Sequence, residues 1–255
     1  GIRTSYIHTP VLAGPKDDVV EIKGMPVVKP DKNGDFLFDH KTQPKEFDAV
    51  HTFTVVRQVM TMFQRARKNM GDTNELTWQW GKSPINVFPD AGDWANAYYS
   101  RRERALKFFN FVPPGKTPAD RVYTNRSFDI VSHEAGHAIL DTMKPGYFSS
   151  WNPQTGGLHE AFGDLTAIFT MLSQLDQCEA IVAESKANLY DKSFFTKLAD
   201  QFGDALGRPW GLRNANNKLK LSEVGTEVHD ISQVFTGAVY NVLADMFHDS
   251  LKLDR

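Results

Sequence analysis

The hydrophobic pattern changes along the chain from short, broken runs to long helical repeats. Residues 1–46 carry short apolar segments interrupted by Pro, Gly, Asn and Asp, which is typical of strands and irregular chain. From Phe47 to about Met70, apolar residues recur every three or four positions, and this spacing predicts a helix. Residues 76–111 favour strands in the three segments LTWQW, INVF and ANAYYSRRERALKFF.

Helical periodicity dominates the second half of the chain. The pattern predicts one helix from Arg121 to Met143, ended by Lys-Pro-Gly, and another from about Leu158. Helices are expected from there to the end, apart from the loop GRPWGLRNANNKLKL. We therefore predict an α+β fold with a mixed, β-rich lobe over residues 1–143 and a mainly helical lobe over residues 144–255.

The composition of the chain limits the kinds of molecule that are expected to bind it. The chain has 255 residues, 41% of them hydrophobic, which is enough for a sizeable core, and its formal net charge is −2. Without a basic face, nucleic acid is not expected as a partner. No apolar run reaches the ~20 residues of a membrane span, and no signal peptide is apparent. The short basic run Arg101, Arg102 and Arg104 is expected to be a solvated strand face.

The first of the two predicted helices contains the sequence HEAGH. Because His133 and His137 are four residues apart, their imidazoles leave the same face of a helix and suit a single metal ion. Glu134 lies near that face and can reach a water on the metal without binding the metal itself. A catalytic zinc ion takes three protein ligands and leaves one position for water. Glu160, on the second helix, is the expected third ligand.

A second carboxylate follows Glu160 on the same face. Asp164 lies four residues later, where it can accept the other N–H of a zinc-bound histidine and fix the orientation of the ring. The simpler interpretation is a surface helix that carries two histidines. It requires Glu160 and Asp164 to occupy these positions by chance.

The segments HEAGHAILD and GGLHEAFGD together resemble the thermolysin-like gluzincins, a family of zinc metallopeptidases. The resemblance implies a two-lobe fold with the HExxH helix at the cleft. It implies zinc ligation by His133, His137 and Glu160, a general base at Glu134, and contact between Asp164 and His133.

Further segments match the same family in the same order. The resemblance implies that Asn96 and Ala97, in NAYY, pair with an extended peptide by strand addition. It implies that Arg213, in Leu212-Arg213, binds a substrate carbonyl. It also implies that His229, after Val228, stabilises the developing oxyanion.

The chain departs from the family pattern at three points. The gap between His137 and Glu160 holds 22 residues, a few more than is usual. The family has a tyrosine nine residues before the glutamate ligand, where this chain has Trp151. The candidate donors in its place are the hydroxyl of Tyr147, in the inserted stretch, and the indole N–H of Trp151 itself. The aspartate that orients the family's oxyanion histidine is also missing. The candidates for its role, with a slight preference for the last, are Glu223, Glu227 and Asp230.

The sequence thus predicts a zinc-dependent endopeptidase with one Zn²⁺ ion and a peptide or protein substrate, and a monomer is favoured. The alternative is a catalytically weak or inactive zinc-binding protein that serves as a peptide-binding module, which the missing tyrosine and aspartate keep open. An aminopeptidase is disfavoured because no acidic segment for a substrate amine is apparent. The resemblance alone favours a secreted or periplasmic location.

Overall fold

The computed structural model describes residues 4–190, 197–198 and 213–253. The fold is mixed α/β, about half helical, with a small sheet and a helical C-terminal region. The chain divides into two compact units, Gly1–Met143 and Lys144–Arg255. No helix in the described ranges is both long and apolar enough to cross a bilayer.

The first unit combines a four-stranded sheet with two helices. The strands follow the order β1-β2-β4-β3, so β3 is an outer strand. β1, β2 and β4 are parallel, while β3 runs antiparallel to β4 with Tyr99 opposite Leu106. A separate pair is formed by β5 and β6. The elements are β1 (Val20–Ile22), α1 (Pro44–Asn69), β2 (Ile85–Phe88), β3 (Ala97–Ser100), β4 (Ala105–Phe108), β5 (Asn110–Phe111), β6 (Val122–Tyr123) and α2 (Phe128–Met143).

The long helix α1 begins three residues before the predicted start. Pro44 occupies its first turn, where a missing N–H costs nothing, and Arg67 and Lys68 lie in its last turn, where they favour the helix dipole. Its apolar face is buried, with Val56 and Val59 fully inaccessible.

The predicted strands are confirmed in part. INVF forms β2, but the last long segment divides into β3 and β4 around a turn that contains Arg104 at a φ of 52°. LTWQW forms no extended strand. Trp78 is instead buried, and its indole N–H donates to the Val19 carbonyl at 2.6 Å.

The prediction of one helix from Arg121 is wrong for its first seven residues. Val122 and Tyr123 form β6, and a 3-10 turn follows at Thr124–Arg126. The guanidinium of Arg126 makes two hydrogen bonds to the Asp48 carboxylate on α1, at 2.7 and 2.8 Å. These long-range contacts override the helical pattern, and α2 begins at Phe128. It ends at Met143, as predicted.

The second unit is mainly helical. Asn152 caps α4 by accepting the Gln154 amide at 2.8 Å, and Pro153 fits the first turn. The helix therefore starts five residues before the predicted Leu158. The elements are α3 (Pro145–Phe148), α4 (Pro153–Leu172), α5 (Leu175–Ser185), β7 (Lys197–Leu198), β8 (Arg213–Asn214) and α6 (Val228–Leu253). The buried core of the second unit comprises Ala167, Ile168, Ile181, Leu189, Ala215, Tyr240 and Ala244.

Candidate metal centre

The helix α2 presents two imidazoles from one face. The ring centroids of His133 and His137 lie 4.6 Å apart, and the rings are nearly perpendicular at 88°. His133 and the adjacent Glu134 are both buried, each with 8% of its surface exposed. The pattern of small and apolar residues around them explains this burial, since Ala135 and Ile139 on the same helix are fully inaccessible.

Two imidazoles and one carboxylate form a compact donor set. One nitrogen each from His133 and His137 and one oxygen from Glu160 all lie within 4.8 Å of one another. Donor atoms bound to a tetrahedral zinc ion lie about 2.0–2.2 Å from it, which places them about 3.3–3.6 Å from one another. A bound ion would therefore hold the three donors at a spacing well inside the 4.8 Å within which they lie. The donor types suit Zn²⁺ and other first-row divalent ions.

Glycines at the start of α4 allow α6 to approach closely. A Cβ atom at Gly157 would lie 2.3 Å from Cγ2 of Ile231, and one at Gly156 would lie 2.7 Å from Cγ1 of Val228. Both neighbours belong to the first turn of α6. This close packing brings His229 to Glu160, with 3.4 Å between Nε2 of the imidazole and Oε2 of the carboxylate.

Of the three candidates for orienting His229, Glu227 is the one whose carboxylate contacts Nδ1 of the imidazole. One Glu227 oxygen lies 2.6 Å from Nδ1 of His229, and the other accepts the backbone N–H groups of His229 and Asp230 at 2.8 and 3.0 Å. Burial alone raises the pKa of Glu227, but the hydrogen bonds from His229 and from the two amides outweigh it and lower that pKa. Asp230, the slightly preferred candidate, contributes its amide to this arrangement.

Helix spacing could not identify Glu227. It directly precedes α6, and its carboxylate folds over the first turn, where free N–H groups and the helix dipole attract an anion. The regular spacing of a helix does not determine where the side chain of a residue outside that helix lies. Glu223, the third candidate, accepts the amide of Lys220 at 2.8 Å.

The remaining predicted residues of the second unit are placed as follows. Asp164 lies one turn after Glu160 on α4 and is 1% exposed, so its carboxylate requires polar partners. Its contact with His133 stays a prediction. Tyr147 lies in α3 with 39% of its surface exposed, and Trp151 is 99% exposed. The role of Tyr147 as a hydroxyl donor also stays a prediction.

The predicted peptide-binding residues lie at the start of the outer strand β3. Asn96 and Ala97 are both half-buried, and the Ala97 amide donates to Oδ1 of Asn96 at 2.9 Å. The backbone of Arg213, in β8, pairs with that of Leu198 in β7. The side chain of Arg213 and the whole of Leu212 lie outside the described residues.

One polar cluster on α2 was missed by sequence reasoning. Asp141 is fully buried one turn after His137, where it binds Tyr99 and Arg101. The expectation of a solvated basic strand face is therefore wrong for Arg101, which follows β3 directly and forms an ion pair with Asp141. An arginine run is a poor signal for such a pair, because its partner lies 40 residues away.

Comparison with known proteins does not assign the chain to a family. No protein-family model matches it, and no curated protein matches its sequence. The chemistry of the candidate centre must therefore be argued from its own residues.

Proposed function

We propose that the protein is a zinc-dependent peptidase of the thermolysin-like gluzincin type, acting as an endopeptidase. The observation that carries this proposal is the convergence of His133, His137 and Glu160, whose donor atoms lie within 4.8 Å of one another. Glu134 follows the first of these ligands directly. Two imidazoles and a carboxylate are the donors of known catalytic zinc sites, which leave a coordination position to water.

Zinc in such a site polarises a peptide carbonyl and makes water a nucleophile near neutral pH. Glu134 would accept the proton that the attacking water loses and deliver it to the leaving amine. Its burial supports this role, because a carboxylate with little access to solvent keeps the proton close to the reacting bond. Asp164 would accept the second N–H of His133 and keep the other ring nitrogen free for the metal.

His229 would donate a hydrogen bond to the oxyanion that develops on the substrate carbonyl. Its contact with Glu160 at 3.4 Å places it beside a proposed ligand, and the 2.6 Å contact with Glu227 fixes the ring. A preorganised donor of this kind is effective because it requires no reorientation during the reaction. Asn96 and Ala97 would align the substrate backbone along β3. Arg213 is proposed to bind a substrate carbonyl, and Tyr147 is proposed to help His229 bind the oxyanion.

A metal-binding module without peptidase activity is the second candidate. Trp151 stands at the family's tyrosine position and is 99% exposed, so no buried hydroxyl or indole donor occupies that place. In this case His133, His137 and Glu160 would still bind the ion, and the strand β3 would bind peptides without turnover.

The test combines metal analysis with cleavage of casein and of a peptide library. We expect about one zinc per chain, loss of cleavage with a chelator and recovery on adding zinc. Glu134→Gln should retain the metal and lose a factor of about 10²–10⁴ in kcat. Glu179→Gln, an exposed glutamate on α5, is the matched control and should behave as the wild type. Retained metal without cleavage in the wild type would favour the binding module, and wild-type turnover by Glu134→Gln would overturn the assigned base.

A further inference from the structure

The carboxylate of Asp141 is fully buried in the first unit, one helical turn after His137. A buried charge costs several kcal/mol unless it is paired and hydrogen-bonded. Asp141 meets both conditions. Arg101 donates to both of its oxygens, from Nε to Oδ2 at 2.8 Å and from Nη2 to Oδ1, and the Tyr99 hydroxyl donates to Oδ2 at 2.7 Å.

Both partners come from one short segment. Tyr99 belongs to β3, the outer strand, and Arg101 follows the last residue of that strand. Asp141 belongs to α2, the helix of the two histidines and Glu134. The hydrogen bonds therefore join the outer strand directly to the helix that carries the candidate metal ligands.

This connection is directional. Apolar packing between a strand and a helix tolerates sliding, but a guanidinium that meets both oxygens of a carboxylate fixes distance and angle together. Well-packed apolar residues often give at least as much stability as a buried ion pair. The network is therefore better explained by the need for one defined position of β3 than by stability.

The two donors of the network, Tyr99 and Arg101, keep their protons around neutral pH. Burial and the neighbouring carboxylate raise the pKa of Tyr99. The hydrogen bonds that Arg101 donates to Asp141 raise the pKa of Arg101. Tyr99 thus remains a hydrogen-bond donor, and Arg101 remains charged.

We propose that Asp141 is a positioning residue that, through Tyr99 and Arg101, fixes the peptide-binding strand β3 relative to Glu134 and the metal-binding histidines of α2. This inference rests on the proposed peptidase function. A peptide paired with β3 takes its position from that strand, whereas the base that acts on it takes its position from α2. A displacement of about 1 Å between them lowers the rate by about a hundredfold.

The test compares two substrates in conservative variants. An extended hexapeptide pairs with β3, whereas a blocked dipeptide is too short to do so. In Arg101→Lys we expect kcat/KM for the hexapeptide to fall about tenfold or more, with little change for the dipeptide and for zinc content. Tyr99→Phe, which keeps the ring and removes one hydrogen bond, should give a smaller effect of the same kind. It also provides a readout if the lysine variant does not fold.

The matched control is another Arg–Asp pair of the first unit, in which the guanidinium also donates to both carboxylate oxygens. Asp48 is 7% exposed and accepts two hydrogen bonds from Arg126, but neither residue belongs to β3 or directly follows it. Asp48→Asn should lower thermal stability without changing the ratio of the two kcat/KM values. An unchanged ratio in Arg101→Lys, or an equal change in Asp48→Asn, would overturn the proposal.

Hydrogen exchange provides a readout that does not depend on peptidase activity. In Arg101→Lys and in Tyr99→Phe we expect faster exchange at the amides of residues 97–100 and unchanged exchange across α2. If the wild type cleaves neither substrate, the proposed function fails, and exchange still decides whether Asp141 holds the strand. Uniform loss of protection across the first unit would show a general structural role and overturn the positioning role.

Discussion

The polar residue Asp141 on α2 is buried and accepts hydrogen bonds from two residues, whereas the polar side chains at the start of α6 are about half exposed and contact each other. Asp141 is fully inaccessible, with three hydrogen bonds from two residues. The side chains of His229 and Glu227 are 51% and 55% exposed and meet at 2.6 Å. The two regions place functional groups by different physical means.

The energetic consequences differ accordingly. Breaking a buried ion pair by removing one partner costs about 3–5 kcal/mol, because the other charge stays buried. Exposed pairs contribute only about 0–1 kcal/mol. Substitutions near α2 should therefore affect folding as well as activity. Those at the start of α6 should affect the reaction with little loss of stability, which makes the two regions separable by experiment.

The largest effect on rate at α6 is expected for His229→Ala. If this imidazole stabilises the oxyanion, kcat should fall by a factor of about 10²–10³. Because the side chain is half exposed, the melting temperature should change little. The measurement pairs peptide kinetics with thermal unfolding and zinc content, since His229 also contacts Glu160. His40→Ala removes another exposed histidine and should leave kcat unchanged. Full activity of the His229 variant would contradict its proposed role.

A smaller but broader effect is expected for Gly157→Ala. The new methyl group would meet Ile231 at 2.3 Å and the Val228 carbonyl oxygen at 3.3 Å, so α6 must shift. Overpacking of this kind costs about 1–3 kcal/mol and should also lower kcat by moving His229. Urea unfolding and kinetics provide the measurement.

Two further variants test whether steric overlap causes these losses. Gly225→Ala adds a methyl group where no atom lies within 4 Å, and it should be nearly neutral. Adding Ile231→Ala to Gly157→Ala removes Cγ2 but leaves Cβ 2.7 Å from the new methyl group, so it should relieve the overlap in part and recover a small part of the lost activity. If the double variant is no more active than Gly157→Ala alone, close packing does not position His229.

Glu227→Gln should have the next largest effect. The amide side chain retains a hydrogen-bonding oxygen but loses the charge that orients the imidazole, and we expect a decrease in kcat of about tenfold, or about 1.4 kcal/mol. Stability should change by less than about 1 kcal/mol, because the pair is exposed. Asp230→Asn, which alters the neighbouring carboxylate, is the control. An equal decrease in both variants would point to helix-dipole effects rather than to Glu227 itself.

The same comparison explains what the sequence could predict. The spacing of His133 and His137 depends only on the period of a helix, so their shared face followed from local pattern. The start of α6 depends on how the chain enters a helix, and the choice among Glu223, Glu227 and Asp230 could not be made from spacing. Asn152 and Pro153 are a recognisable helix start, and weighing them would have corrected the predicted start of α4.

Contacts between distant segments account for the other differences. The pairing of Val122 and Tyr123 with β5 overrides a helical pattern, and Trp78 is buried against Val19 rather than aligned in a strand. The link from Arg101 to Asp141 joins residues that no local pattern relates. Periodicity reports the face that an element buries, but it carries no information about which distant group that face meets.

The smallest predicted effect concerns acid sensitivity in the buried region. His51 on α1 stacks on Phe47 with ring centroids 5.6 Å apart, and its Nε2 atom is buried without a hydrogen-bond partner among the described residues. Burial lowers the pKa of His51, and Arg126 lowers it further, while Asp48 opposes both. The unfolded chain therefore binds a proton more readily than the folded one as the pH falls below about 6.5. With respect to His51, the free energy of unfolding is at its full value above that pH and declines below it, by at most about 1.4 kcal/mol per pH unit for one proton.

Urea unfolding at a series of pH values between 5 and 7.5 measures this decline, with the pH range set by the ordinary histidine pKa of about 6.5. His51→Phe retains an aromatic ring for the stack on Phe47 but cannot bind a proton, so its stability should fall less on acidification than that of the wild type. His40→Phe changes an exposed histidine that also contacts Phe47, and it should keep the wild-type pH dependence. Equal acid sensitivity of the wild type and His51→Phe would assign the decline to other groups. A selective reduction would show that burial in the first unit makes ionisation of His51 costly.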